Sequence, residues 1–167
     1  MTVINLQIEA LTQEAFLPYG DVIEVNSSNQ VIPINYGLTE RHHDLAKIDV
    51  ADAGGHAIVS LFKTQAIHLP FSVKIMERHP LGSQTFIMTT GKPYIVIVSE
   101  AGEFDPTCLR AFLATPKQGV NYHKGTWHHY CLGLECENQF LVIDRSGEGN
   151  NCDEVEIPDT LSIVVSH

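Results

Sequence analysis

The chain has 167 residues, of which 44% are hydrophobic and 18% charged, a composition typical of a globular domain and not of a disordered chain. This length is enough for one compact domain and too short for two ordinary ones, so we expect a single domain over residues 1–167. The formal net charge of −10 argues against a nucleic-acid partner, because phosphate binding needs a basic face.

Helical signals are confined to one short segment, in which Thr12 is a candidate N-cap and Pro18 and Gly20 end the helix. Elsewhere, short β-rich runs are separated by turn residues. Strands are predicted for Asp21–Val25, His56–Phe62, Phe71–Arg78, Tyr94–Ser99, Leu109–Ala114, His128–Leu134 and Gln139–Arg145. The run Tyr94–Ser99 is apolar on both faces, which predicts a central position in a sheet. The pattern indicates an all-β sandwich or barrel with few short helices.

The sequence also carries indications of its compartment. No apolar run reaches the roughly 20 residues of a membrane span, and the N-terminus lacks the regions of a secretory signal. The four cysteines follow neither a CxxC pattern nor a tight disulfide framework, so we expect reduced and mostly buried thiols. These observations predict a cytoplasmic protein that has no membrane partner.

Two segments concentrate ionisable side chains, namely ERHPLGSQ over Glu77–Gln84 and GVNYHKGTWHH over Gly119–His129. Barrel folds bind small molecules at their mouths, so the inward-facing polar residues of these segments are the candidates for chemistry. Since side chains alternate along a strand, Arg78 is expected to face away from His79, where an ion pair is its expected role.

The spacing in both segments resembles the two sequence motifs of cupin proteins. Glu77, His79 and Gln84 occupy the positions of two histidines and a glutamate in the first motif, and HKGTWH follows the second motif and ends at His128. The resemblance implies a cupin-like (RmlC-like) β-barrel, also called a double-stranded β-helix, with metal ligands at Glu77, His79, Gln84 and His128. Because a glutamate and a glutamine replace two of the usual ligands, we expect weaker binding of the divalent ion.

A closer resemblance extends over nearly the whole chain. The strings YGDVIE, NYGLTERHHDLA, ERHPLGSQTFI, LRAF and QGVNYHKGTWHH occur in this order and resemble the ureidoglycolate lyase family, also called ureidoglycolate hydrolase. The resemblance implies a homodimeric enzyme of allantoin degradation, a carbon–nitrogen lyase of the amidine-lyase class that cleaves ureidoglycolate to glyoxylate and urea. It also implies nickel as the cofactor, with zinc as an alternative and no organic cofactor.

This reaction needs a cation for the substrate carboxylate, a base for the hydroxyl proton and an acid for the leaving nitrogen. His79 and His128 are the first candidates for proton transfer, and His123 is a further one that stays open. Glu77 fits equally a ligand or base and a solvated carboxylate at a strand end.

Substrate binding is assigned to a cation and three amides. Arg41 is the predicted carboxylate partner, because its planar guanidinium donates paired hydrogen bonds and lies in a polar loop. Gln84, Asn121 and Asn35 are predicted to bind the ureido group or the carboxylate without adding charge.

Three alternatives stay open at this point. A ureidoglycolate hydrolase would release ammonia, whereas the lyase would release urea. Another metal-dependent cupin, such as a sugar isomerase or a dioxygenase, would need a more complete histidine set than Glu77 and Gln84 allow. A non-catalytic module that binds a small carboxylate would have no turnover to lose when His79 or His128 is replaced.

Overall fold

The computed structural model describes residues 1–167, which form seventeen strands, one short α-helix and three 3₁₀ turns. The helix α1 spans Gln13–Phe16, and the 3₁₀ turns span Asn35–Gly37, Asp52–Gly54 and Pro106–Cys108. The strands in chain order are β1 (Thr2–Ala10), β2 (Gly20–Ile23), β3 (Gln30–Ile34), β4 (Thr39–His43), β5 (His56–Thr64), β6 (Ala66–Ile67), β7 (Phe71–Val73), β8 (Ile75–Arg78), β9 (Gln84–Thr90), β10 (Tyr94–Ser99), β11 (Arg110–Ala114), β12 (Gly119–Tyr122), β13 (Trp127–His128), β14 (Leu132–Leu134), β15 (Asn138–Ser146), β16 (Asp153–Glu156) and β17 (Leu161–Ser166).

The strands form three sheets. The large sheet has ten strands, with the order β16-β8-β13-β10-β11-β1-β17-β7, and β14 and β6 continue from β10. The second sheet has five strands in the order β2-β12-β9-β15-β5. The third sheet is the hairpin β3–β4, which pairs with neither of the others. The predicted all-β, cupin-like fold with few short helices is confirmed.

The principal core lies between the large sheet and the five-stranded sheet. It combines Val96 and Val98 of β10 with Phe86 of β9 and Phe140 of β15. Ile95, on the opposite face of β10, belongs to a second apolar cluster. All six residues of β10 are therefore buried, which confirms the central position predicted for this strand. Each fully buried large apolar side chain contributes about 1.5–3 kcal/mol to folding.

Several local predictions can be compared with the structure. The predicted helix forms α1, in which the amide of Ala15 donates to Thr12 Oγ1 at 3.1 Å, so the N-cap is confirmed. The single strand predicted over Phe71–Arg78 is wrong, because the chain breaks at Lys74 into β7, which pairs with β17, and β8, which pairs with β13 and β16. The strand predicted over His128–Leu134 is likewise divided into β13 and β14.

The thiols also differ from the prediction. Only Cys131 is buried, whereas Cys136 is partly exposed and two further cysteines are exposed, so the expectation of mostly buried thiols is wrong. None of the four is in a disulfide. The one α-helix has four residues, and none of the helical segments could span a bilayer.

Candidate functional site

Strand pairing brings the two ionisable segments together. His128 on β13 lies directly opposite Glu77 on β8, so the two side chains share one face of the large sheet. His128 Nε2 is 3.4 Å from Glu77 Oε1. His79 follows β8, and its Nε2 is 4.0 Å from the same carboxylate oxygen. The two imidazole rings are 5.1 Å apart, so residues 49 positions apart in the chain form one cluster.

The protonation of His128 follows from its surroundings. Its Nδ1 lies 3.0 Å from the carbonyl oxygen of Thr126, which can only accept a hydrogen bond, so Nδ1 carries a proton. Burial lowers the pKa of His128 and outweighs the opposing contact with Glu77. The ring is therefore neutral, and the lone pair lies on Nε2, which is buried and has no hydrogen-bond partner in the chain.

Glu77 is the charged member of this pair. Hydrogen bonding from the protonated form of His128 lowers the pKa of the carboxyl group, and this effect exceeds the opposing effect of burial. Its side chain is 26% exposed, so the carboxylate lies at the boundary between the buried histidine and the adjoining cavity. The pair consists of an anionic carboxylate and a neutral imidazole at neutral pH.

His79 is held through both of its ring nitrogens. Its Nδ1 is 2.6 Å from the carbonyl oxygen of Asn151, and its Nε2 is 3.2 Å from Gln84 Oε1. The amide nitrogen of Gln84 donates to Asp144 Oδ2 at 3.2 Å, which orients the glutamine oxygen toward His79. Asp144 Oδ1 is buried and has no partner.

The sequence interpretation missed Asp144 as a member of this site. Phe140, Val142 and Asp144 alternate along β15, and the first two are fully buried in the core between the sheets. A carboxylate that continues a buried apolar face was the available signal, because such a charge needs a partner or a ligand. Tyr122 also adjoins the site, because its ring stacks on His128.

The donor atoms of the cluster fit a divalent cation. Glu77, His79 and His128 each offer one ligand atom, and these atoms lie within 4.8 Å of one another. Neighbouring ligand atoms around a tetrahedral zinc ion are about 3.4 Å apart, given metal–ligand bonds of about 2.1 Å. The separations of 3.2–4.0 Å among Gln84, the two histidines and Glu77 are close to this value. These atoms present lone pairs to one another, so a cation placed between them would give each lone pair a partner.

Four predicted site residues lie outside this cluster. Asn121 faces away from it because its neighbour Tyr122 faces toward it, and Asn121 donates instead to Asp21 Oδ2 and to the Lys47 carbonyl. His123 is 46% exposed, with Nε2 3.2 Å from the same Asp21 carboxylate. The other two, Asn35 and Arg41, belong to the hairpin segment and are exposed.

Arg78 lies on the other side of β8, as alternation predicted. Its Nε donates to Asp153 Oδ2 at 2.9 Å, and its guanidinium lies 4.6 Å from the centre of the Trp127 ring. This expected ion pair is confirmed. Arg78 therefore links β8 to β16 and to β13, and its side chain does not point to the cluster.

A cavity of about 460 Å³ adjoins the cluster at Glu77. Its walls are mainly apolar and include Phe62 of β5, Phe71 of β7 and Phe86 of β9. No lysine or arginine lines it, so this chain supplies no cation there for an anionic ligand.

Comparisons with known proteins give one consistent result. A family model described as ureidoglycolate lyase matches residues 3–164. A ureidoglycolate lyase of Burkholderia mallei is 53% identical over 157 residues, covering 94% of this chain and 92% of the relative. The chain is also similar to proteins of the same name from Pseudomonas aeruginosa, at 49% identity over 90% of this chain and 89% of the relative, and from Pseudomonas entomophila, at 46% identity over 97% of both.

Proposed function

The chain belongs to the ureidoglycolate lyase family, and we propose that it cleaves ureidoglycolate to glyoxylate and urea at the cluster of Glu77, His79, Gln84 and His128. It is an enzyme of the lyase class. The observation that carries the location of the site is the direct pairing of Glu77 with His128, which places a carboxylate against a neutral imidazole beside a cavity. The substrate is a small molecule, and allantoin degradation is the pathway in which we place the reaction.

The reaction is an elimination in which no water is consumed. The hydroxyl of the substrate loses its proton, the carbon–oxygen double bond of glyoxylate forms, and the carbon–nitrogen bond to urea breaks. The leaving nitrogen takes up a proton. The products therefore contain every atom of the substrate, and the protein must supply one proton acceptor and one proton donor.

The surroundings of the two histidines support a division of these roles. His128 has a lone pair at Nε2, and the carboxylate of Glu77 would stabilise the imidazolium that forms when this nitrogen takes the hydroxyl proton. His79 lies beside it, held by the Asn151 carbonyl and by Gln84 Oε1, and is the candidate donor of a proton to the leaving nitrogen when no ion is bound. Gln84 is available to bind the ureido carbonyl through its amide group.

We further propose that a divalent ion is held by Glu77, His79, Gln84 and His128, with nickel as the family resemblance implies and zinc as the alternative. When bound, the ion supplies Lewis acidity toward the substrate's carboxylate and hydroxyl oxygens. A nitrogen that ligates a metal neither accepts nor donates a proton, so Nε2 of His79 and of His128 would exchange none while the ion is bound. The Glu77 oxygen that is not a ligand would then take the hydroxyl proton and pass it to the leaving nitrogen.

The test is an assay of urea and glyoxylate release from ureidoglycolate, run with and without a chelator. We expect the two products in equal amounts without ammonia. Stoichiometric ammonia would instead identify a hydrolase. Turnover that survives complete metal removal would assign His128 as the base, whereas turnover lost on chelation and restored by Ni²⁺ or Zn²⁺ would assign it as a ligand.

We also propose that the chain forms a homodimer, that it is located in the cytoplasm, and that residues 1–167 form one domain. The dimer is supported by two exposed apolar surfaces, the hairpin β3–β4 and the edge strand β5, where Val59 and Leu61 are 65% and 62% exposed. The location is supported by four unpaired thiols, which persist in a reducing compartment.

A further inference from the structure

We propose that the hairpin β3–β4 of a second copy of this chain docks beside β5 and places its Arg41 at the mouth of the cavity that leads to Glu77. Each active site would then be composed of two chains. The inference rests on the proposed function in one respect, because it takes the ligand to be a small carboxylate anion.

The hairpin is the first observation. It forms a two-stranded sheet of its own, and isolated hairpins are at best marginally stable in water. Its apolar side chains are open to solvent, with Val31 44%, Ile34 38% and Leu38 87% exposed, and Tyr36 at its tip is fully exposed. A hairpin of this composition needs a surface to cover it.

The strand β5 is the second observation. It pairs only with β15, so its other edge is unpaired over nine residues, and such edges recruit additional chain. Its outer face exposes Val59 and Leu61, and its inner face carries Ile58 and Phe62, each 38% exposed. Phe62 also lines the cavity, so the apolar surface of β5 continues into the cavity mouth.

The hairpin of the same chain is poorly placed to cover this surface. It directly follows β2, and β2 and β5 are the two outer strands of the five-stranded sheet. Four strand spacings of about 4.8 Å separate them, a distance of roughly 19 Å. Two complementary apolar surfaces at opposite edges of one chain are the arrangement that a two-fold dimer buries by reciprocal exchange.

Charge is the third observation. The cluster presents the Glu77 and Asp144 carboxylates, and no lysine or arginine lines the cavity that leads to it. In the hairpin, Arg41 is directly opposite Ile32, so both lie on one face, together with Ile34. The face that would pack on the apolar mouth therefore carries the guanidinium that a substrate carboxylate requires.

The decisive experiment is complementation between two defective chains. Arg41→Ala should lower kcat/KM roughly 10- to 100-fold through the loss of charge-assisted hydrogen bonds, and His128→Ala should lower it by about 10²–10⁴-fold. The two variants are co-expressed with different affinity tags, and the heterodimer is isolated by tandem purification. It contains one site with both native residues if Arg41 acts across the interface, and no such site if Arg41 acts within its own chain.

We expect the heterodimer to recover about half of the wild-type activity per dimer, since one of the two sites is intact. A heterodimer no more active than its better parent would overturn the inference, as would an Arg41→Ala variant with unchanged kcat/KM. In both cases the proposed function would stand, because wild-type turnover of ureidoglycolate is measured alongside.

Docking itself is tested without an activity readout by analytical ultracentrifugation. The double variant Tyr36→Ser, Leu38→Ser should sediment as a monomer, whereas the matched control Val3→Ser, which replaces a 52% exposed residue of β1, should stay dimeric like the wild type. The proposal is wrong if the wild type sediments as a monomer or if the hairpin variant stays dimeric, even when the enzyme is active. The sedimentation experiment also tests the docking of the hairpin if ureidoglycolate is not turned over.

Discussion

The ring of Tyr122 lies flat on the imidazole of His128, with ring centroids 4.2 Å apart and planes inclined by 8°. Both side chains are almost completely buried. The stack prevents rotation of the imidazole, and the Thr126 carbonyl at Nδ1 determines which nitrogen is protonated. Tyr122 therefore holds the Nε2 lone pair of His128 toward Glu77.

Replacements of Tyr122 separate the stacking from the hydroxyl group. Tyr122→Phe keeps the ring and loses only the 3.6 Å contact of the hydroxyl with Cys131 Sγ, so kcat should stay within a few-fold of wild type and stability should change by about 1 kcal/mol. Tyr122→Ala leaves a cavity and should cost about 3–5 kcal/mol, with a fall in kcat. Urea denaturation and steady-state kinetics measure both effects. Equal kinetics for the two variants would show that the stack has no role in catalysis.

The two cluster histidines should be essential for turnover and dispensable for folding. His79→Ala and His128→Ala should each lower kcat by about 10²–10⁴-fold, the usual contribution of a general acid or base. The far-UV circular dichroism spectrum should be retained. His167→Ala, at an exposed terminal histidine, is the matched control and should be silent. Full activity in both cluster variants would show that the active site is not at this cluster.

Asp144 should act as a positioning residue through Gln84. Asp144→Ala removes the acceptor of the Gln84 amide, so the Gln84 side chain loses the contact that directs its oxygen to His79. Outer partners of this kind typically contribute 10- to 100-fold, and we expect a loss of that order in metal affinity by isothermal titration calorimetry. The exposed Asp159→Ala serves as control. Unchanged metal affinity in Asp144→Ala would refute the positioning role.

Stability should fall between pH 6.5 and pH 4 because of His129. Burial lowers the pKa of this histidine to about 4, against 6.5 in the unfolded chain. The unfolded state therefore binds the proton first as the pH falls, so the stabilisation is complete above pH 6.5 and is lost toward pH 4, at no more than about 1.4 kcal/mol per pH unit.

Urea denaturation of the wild type and of His129→Gln at pH 7 and pH 5 measures this dependence. The variant should show a flatter profile than the wild type. The control Ser27→Gln, at an exposed residue that does not titrate, should keep the wild-type slope. A wild-type slope in His129→Gln as well would show that other groups control acid unfolding.

The prediction of secondary structure succeeded where a strand is uniform and failed where a strand changes partners. The apolar run Tyr94–Ser99 forms β10 with the predicted bounds. The run Phe71–Arg78 has an equally regular pattern, yet it divides at Lys74, whose carbonyl accepts a hydrogen bond from the amide of Ile157. Alternation describes which face a residue occupies, but it contains no information on which neighbouring strand it pairs with.

The sequence by itself determined the all-β class, the family and the two segments that concentrate ionisable side chains, because hydrophobic periodicity and motif spacing are local properties of the chain. Only the tertiary structure decided that His128 lies opposite Glu77, that Asp144 joins the site through Gln84, and that Asn121 and His123 face elsewhere. These relationships depend on the register between strands distant in the chain, and a shift of one residue would turn each side chain to the opposite face.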